Sequence, residues 1–430
     1  MVVYMLYEHL VREYKALLKL KKKFEKRGDE AYIYSAIFER NSFVKHAKRN
    51  PPDVILMPWF FCEADENILY PILKNNPKVR VISLHHEELT TPGNESYFLS
   101  KTDYTKYGAY HFVWGAYFAD FLERDGVPKD RIFITGNIRS DLISSNSVGR
   151  KELADAFHLD PKKKWILFAE TLGYYSQRIS DSEKAALFSR GVTEEEIEKG
   201  RRDEEAGIRA AIDDFSALGQ DFLDTYELIY RPHPGTYAFD GFPDWLKIIQ
   251  DRPISDWIRN VDFFVSRRST SVFEADAAGV PCAMYENPPT PPEHMIPGLD
   301  QYPAIRSMKD ITQDYIEERK KQENHFYMDY IGIADGHVAD RILDAVDRAM
   351  DKSYDDENIK QHRKLHKPTI HFSVHYFLYD LLVRIMVKTT LLDKTKYPNS
   401  AYVMRKDIPY YKGNSIRSAT EKKNRLRDDK

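Results

Sequence analysis

Cysteine is nearly absent from this chain. Cys62 and Cys282 are the only two among 430 residues, and both lie in apolar, strand-like contexts without CxxC or Cys/His spacing. That excludes a disulfide framework and a thiolate metal site, and it fits a reducing cytoplasm. No apolar run reaches the ~18 residues of a membrane span, and the N-terminus lacks the apolar block and cleavage site of a signal peptide. A GxGxxG turn is also missing, so nothing in the sequence supports a dinucleotide-dependent oxidoreductase.

What is present describes a well-packed globular protein, with 42% hydrophobic, 13% aromatic and 30% charged residues. The length exceeds one ordinary core and implies two domains of ~150–200 residues. The net charge of −3 hides an asymmetry: residues 360–430 hold 17 Lys+Arg against 6 Asp+Glu, a local +11, which leaves −14 on residues 1–359. A basic end on an acidic body suggests contact with an anionic surface such as membrane phospholipid. Nucleic acid is not an expected partner.

Short apolar runs alternate with helical periodicity from the first residue. Val2–Tyr7, 31–35, 53–57, 79–84, 109–113 and 132–135 read as strands. The intervening 8–27, 38–48, 66–74, 115–124 and 139–144 read as helices. That alternation predicts a parallel, doubly wound α/β sheet of Rossmann type over residues 1–150. A second such domain is expected over 160–350, with strands at 165–169, 227–230, 261–265 and 280–285. Thr193 and Glu196 form a capping-box pattern that starts a helix over 194–217. Residues 174–192 read as a loop over a cleft. Helices are expected at 310–321 and 339–352, then at 370–392 with an apolar side, within a 355–412 segment that packs back on the first domain. Residues 413–430 read as a basic, disordered tail.

Several strand ends carry chemistry. Glu227–Tyr230 runs into Arg231-Pro232-His233-Pro234, where proline ends the ladder and places a permanent cation and a titratable imidazole at the carboxyl edge. Strand 79–84 runs into His85-His86-Glu87-Glu88, where paired carboxylates can give one group a raised pKa and a general-base role. A solvated loop is the bland alternative, and a metal site is disfavoured because contiguous residues point different ways. Thr135-Gly136-Asn137 lets backbone approach a ligand beside free helical N–H groups, unless it is an ordinary strand-to-helix turn. Strand 165–169 ends in Glu170. Strand 261–265 leads to Ser266-Arg267-Arg268-Ser269-Thr270-Ser271 and a helix, an arrangement suited to phosphate oxygens, with Glu274 one turn in and suited to ribose hydroxyls. A simple N-cap would explain one of those hydroxyls but not the run.

The order Glu87-Glu88, then Ile134-Thr135-Gly136-Asn137-Ile138-Arg139-Ser140-Asp141-Leu142, then Arg231-Pro232-His233-Pro234, then Ser269-Thr270 resembles bacterial surface-carbohydrate glycosyltransferases of the GT-B fold. Within that group it looks most like capsule enzymes of the polysialyltransferase and Kdo-transferase type, with teichoic-acid glycerophosphotransferases as cousins. The resemblance spans most of residues 1–290 and implies two Rossmann-like domains with a C-terminal helical return. It implies that Glu88 or Glu87 activates the acceptor hydroxyl. By the same resemblance, His233 contacts the donor phosphate or protonates the leaving nucleotide, Ser269 and Thr270 hold the phosphate, and Glu274 holds the ribose. Glu170 is the nucleophile if configuration is retained through a covalent intermediate. Polysialyltransferases follow their acidic pair with glycine, where this chain has Leu89.

The expected partners are a nucleotide-sugar donor, with a CMP-linked acidic sugar foremost, and a glycan or lipid-linked glycan acceptor, met at the inner membrane face. Neither cofactor nor metal is expected. A helix N-terminus with His and Arg stabilises a leaving phosphate without one, and no DxD sits at a strand end, which disfavours a metal-dependent GT-A enzyme. A CDP-polyol phosphotransferase, a nucleotide-sugar epimerase and a non-catalytic capsule-assembly scaffold are the alternatives.

Overall fold

The computed structural model describes residues 1–352 except 93–94, 145–147, 174, 177–178, 180–183, 185–186, 189–191, 234–235, 237–238 and 323–324; beyond 352 it describes 367–368, 374, 378, 381 and 385. Among the described residues, twelve strands form two sheets. The first contains β1 (Val2–Tyr7), β2 (Glu30–Ser35), β3 (Val54–Met57), β4 (Arg80–Ser83), β5 (Tyr110–Val113) and β6 (Ile132–Ile134). The second contains β7 (Lys164–Glu170), β8 (Tyr226–Arg231), β9 (Lys247–Ile248), β10 (Phe263–Arg267), β11 (Cys282–Tyr285) and β12 (Ala304–Ile305). The orders are β2-β1-β3-β4-β5-β6 and β12-β11-β10-β7-β8-β9, and every recorded pairing is parallel. Strands buried on both faces read as near-continuous apolar runs. β3 (VILM) is buried at all four positions, as is FFVSR of β10 at all five.

The expected strands and helices are present with ends shifted by a few residues. The helix predicted over 194–217 spans Glu194–Ser216, and its Thr193/Glu196 capping box is formed. The two-residue edge strands β9 and β12 escaped the reading because neither contains an apolar run.

The helix Val338–Asp351 does not belong to the second core. Val338, Ala339, Ile342, Ala345, Val346 and Ala349 pack with Val3, Met5, Leu17 and Phe24 in the core of the first sheet. Asp141 receives the backbone N–H groups of Val338 at 3.0 Å and Ala339 at 3.1 Å, and its negative charge suits the start of that helix. The chain therefore returns to the first domain before residue 350, the expected end of the second domain. The expected 355–412 segment and the 413–430 tail lie outside the described residues, apart from the few beyond 352 named above. Of these, Val374, Leu378, Leu381 and Ile385 are helical and exposed.

The seam between the domains is packed. Trp114 and Ile143 join Phe273, Tyr327 and Ile331 in one core cluster, and Leu89 packs against it. The glycine of the polysialyltransferase pattern would leave that space empty. Gly332 has φ +73°, and a Cβ there would lie 2.2 Å from the Trp114 carbonyl oxygen and 2.8 Å from the Gly136 Cα.

Candidate functional site: the cleft between the sheets

Strand order locates the site before any side chain is considered. In an open parallel sheet, ligands bind at the carboxyl ends where strand order reverses. In the first sheet that point lies between β1 and β3 and in the second between β7 and β10, because the chain leaves the first-formed strand in opposite directions. Glu8 and His9 follow β1. Glu170 ends β7, Arg267 ends β10, and the Thr171 hydroxyl donates to the Arg268 carbonyl at 3.0 Å, tying these two ends together.

Around the first switch point stands a charged cluster on the helix Leu10–Lys26 and the turn after β4. Arg12 Nε and Nη2 donate to Glu13 at 2.8 and 2.6 Å, and Nη1 donates to Glu87. Arg12 Nη2 also lies 3.5 Å from Glu8, and His86 Nδ1 lies 2.9 Å from Glu13. Burial raises the Glu13 carboxyl, but His86 and Arg12 outweigh it and hold the group well below its usual range. The same balance, with Arg12 and then Arg139 outweighing burial, holds Glu87 low. Glu8 differs. Burial raises it to about 7 despite Arg12, with Glu13 and Glu87 adding to the rise.

Glu87 is the exposed member of the expected acidic pair, its side chain 64% accessible. Glu88 is fully buried, and both its oxygens accept the Trp114 N–H, at 2.8 and 2.9 Å. Burial pushes its pKa well up, against the Trp114 N–H and Arg139. Glu88 therefore fastens the end of β4 to the residue that follows β5. The neighbouring His85, at φ +45°, pairs its Nε2 with His111 Nδ1 at 2.9 Å, and His111 Nε2 pairs with the Thr105 carbonyl at 2.8 Å. Burial lowers both imidazoles, so this pair forms a neutral strut between the β4 end and β5.

Gly136 has φ +96°, and its nearest neighbours are Val338 and Arg341. Asn137 is buried and donates its N–H to the Ile331 carbonyl at 2.9 Å. The returning chain makes a close approach at this turn. Asn137 Oδ1 also accepts from Arg139 N at 3.0 Å and Nε at 3.3 Å, aiming Arg139 along the Trp114 ring at 5.1 Å. Burial lowers Arg139, while Glu274 of the other domain opposes that shift. Burial likewise raises Glu274, opposed by Arg139.

In the second domain, Arg231 is buried and donates to the carbonyls of Ile249 at 3.4 Å, Asp251 at 3.0 Å and Arg252. Its guanidinium anchors that loop. His233 is half-buried; its carbonyl accepts from Thr236 N at 2.9 Å and Gln250 Nε2 at 2.9 Å. Pro234 and Gly235 lie outside the described residues. Glu170 is buried and accepts from the Tyr230 hydroxyl. Burial raises it to about 7, against Tyr230 and Arg267, with Glu204 adding. One oxygen of this expected nucleophile is thus engaged by Tyr230, and the other is buried without a hydrogen-bond partner. Ser269 and Ser271 share a 2.6 Å hydroxyl contact, and the Ser266 hydroxyl binds the Ser269 backbone on both sides, at 2.7 and 3.0 Å. Much of the hydroxyl run is spent shaping its own turn, with Thr270 half-exposed between.

Of the expected residues, Glu87 belongs to the charged cluster at the first switch point, and Glu274 interacts with Arg139 across the seam. Glu8, Arg12, Glu13 and Arg139 were missed as site residues. On a helix, Arg12 and Glu13 read as a solvated face, and only the fold turns that face toward the β4 end.

The two sheets and their switch points decide the architecture. The fold is GT-B. No protein-family model matches the chain, and no curated protein is similar to it. Solved structures are similar at the level of the fold. A protein described as a UDP-N-acetylglucosamine 2-epimerase, from Listeria monocytogenes, superposes with a TM-score of 0.52 at 14% identity, over 82% of this chain and 97% of the other. The H548A variant of the wall teichoic acid polymerase TagF gives 0.53 at 12% identity, over 81% and 89%. The MnaA–UDP structure from S. aureus gives 0.50 at 13%, over 80% and 95%. Among the described residues, no helix is long and apolar enough to cross a membrane.

Proposed function

We propose that this GT-B chain is a metal-independent enzyme that takes a nucleotide-activated sugar in the cleft between its sheets. It transfers the sugar to a hydroxyl of a growing surface or capsular polysaccharide. One observation carries this reading: Glu274 of the second domain acts electrostatically on Arg139 of the first, which also feels Arg12 and Glu87. A site divided between two domains suits a donor held by one and an acceptor held by the other.

In this reading His233 and Thr270, at the ends of β8 and β10, meet the donor phosphates, and Glu274 meets the ribose. A CMP-linked acidic sugar is the proposed donor, its carboxylate matched by Arg139. The basic 360–430 end, at +11, holds the protein at an anionic membrane face. The full chain should then sediment with phosphatidylglycerol vesicles and not with neutral ones, and equal sedimentation with both would refute that contact.

A second reading, favoured by the fold relatives named as 2-epimerase and as teichoic acid polymerase, keeps the nucleotide site and changes the reaction. It would be epimerisation of a nucleotide sugar, or transfer of a polyol phosphate from a CDP-linked donor.

A thermal-shift screen against CMP, CDP, UMP, UDP, GDP and ADP tests these readings, with His233→Ala and Thr270→Ala in parallel. Ligand at 100 times its Kd stabilises by ~2.7 kcal/mol. A CMP response lost in both variants supports the CMP-sugar transferase. A CDP response favours the polyol-phosphate reaction, and a UDP response with turnover in the absence of acceptor favours epimerisation. A protein that responds to no nucleotide is the capsule-assembly scaffold instead.

A further inference from the structure

The transfer reaction needs a base for the acceptor hydroxyl, and the carboxylates of the cleft differ in fitness for that task. Glu87 is exposed but paired with Arg12. A carboxylate held ionised by a guanidinium has low proton affinity and makes a weak base. Glu13 is buried, receives Arg12 and the backbone N–H groups of Glu8 at 2.7 Å and His9 at 3.3 Å, and faces no substrate. Glu88 is sealed beneath Trp114.

Glu8 is the remaining carboxylate of this cluster. It stands directly after β1 at the switch point of the first sheet, and its side chain is 31% accessible. The groups facing it are Arg12 at 3.5 Å and Glu13 from the helix, His9 Nε2 at 3.3 Å from its own turn, and Glu87 from the β4 end. Burial and Arg12 push His9 down to about 4, so it stands beside Glu8 as a neutral imidazole without supplying a charge. Arg12 is shared among three carboxylates, which leaves Glu8 the least compensated of them.

We infer that Glu8 is the proton acceptor of the proposed transfer, with Glu87 serving to hold Arg12 in place. The acceptor oxygen forms its bond to the anomeric carbon while its proton passes to a Glu8 oxygen. The bond from that carbon to the donor phosphate breaks, and its electron pair leaves on the free nucleotide. Glu8 then returns the proton to solvent.

The inference rests on the transferase reading, and its test separates the two. Nucleotide release from CMP-N-acetylneuraminic acid, CDP-glycerol and UDP-N-acetylglucosamine is followed in the presence of capsular oligosaccharide, for wild type, Glu8→Gln and Glu8→Asp, from about pH 5.5 to 8.5, which brackets a base poised near neutrality. Nucleotide affinity is measured in parallel. Wild-type kcat/KM should rise along an acidic limb with its midpoint near neutrality. Glu8→Gln should lose that limb and ~10²–10⁴-fold in kcat/KM at unchanged nucleotide affinity. Glu8→Asp should keep the limb. A Glu8→Gln variant with the wild-type limb and rate overturns the inference and leaves the transferase reading standing. So does one that loses nucleotide affinity, which would make Glu8 a binding residue. Wild type that binds and turns over none of the three donors overturns both.

Discussion

Arg139 and Glu274 lie on opposite sides of the domain seam, and each opposes the protonation shift that burial imposes on the other. Such a pair reads whether the domains are together. A nucleotide that bridges them would engage both groups, and hydrogen bonds to charged groups contribute about 1.5–3 kcal/mol each. Arg139→Met is therefore expected to weaken affinity for the sugar-linked donor, and Glu274→Gln affinity for the responding nucleotide, by about 10–100-fold each, with the double variant short of additive toward the donor. Calorimetric titration measures this, and unchanged affinity in both single variants would place the ligand elsewhere.

Gly332 tests the seam directly. Its backbone sits at φ +73° with the Trp114 carbonyl 2.2 Å from where a Cβ would stand, so neither conformation nor space admits a side chain. Gly332→Ala should destabilise by about 3–5 kcal/mol. Gly28, at φ +94° with nothing within 4 Å of a Cβ, provides the control: Gly28→Ala carries only the conformational term, about 1–2 kcal/mol. Urea unfolding of both decides it, and equal losses would mean the seam yields.

Arg231 is read here as an anchor for the 249–252 loop and not as a phosphate ligand. Arg231→Lys keeps the charge but loses the forked donor geometry. It should lower stability by about 1–3 kcal/mol, since buried carbonyls lose their donors, while nucleotide affinity changes less than about threefold. A large loss of affinity with stability intact would restore the phosphate role.

Most of the architecture was legible because strands buried on both faces have to be apolar runs, and turns have to break them. Val2–Tyr7 was read to the residue. The helix Val338–Asp351 was legible as a helix but not as part of the first core, because an apolar stripe does not say which sheet it covers. Candidate residues were legible where chemistry and strand end coincide in sequence, as at Glu87 and Glu274. The partners of Glu88 and Arg231 were hidden for a shared reason. Each is a charged residue at a strand end, and only tertiary packing reveals that its polar atoms are spent on a backbone N–H or on carbonyls. Arg12 and Glu8 were invisible because their partner, Glu87, lies some 75 residues away.

Glu170 offers a prediction in which role and stability part company. Its carboxyl is buried, accepts from Tyr230, and is raised from 4.5 to about 7 by burial. A folded-state pKa above the unfolded value means the fold favours the protonated acid. The stabilisation is complete below about pH 4.5 and is lost as pH rises through about 7. Glutamine keeps an oxygen to accept from Tyr230 and never ionises. Glu170→Gln should therefore be nearly neutral at pH 5 and more stable than wild type at pH 8, the difference reaching on the order of 2–3 kcal/mol. Glu8 titrates in the same window but is common to both proteins, so it cancels in the comparison. Urea midpoints at the two pH values measure the difference. A gain that is equal at both pH values would show that Glu170 is already ionised in the fold. Retained transfer activity in the same variant would exclude a glycosyl-enzyme intermediate on this residue, because an amide does not form that ester.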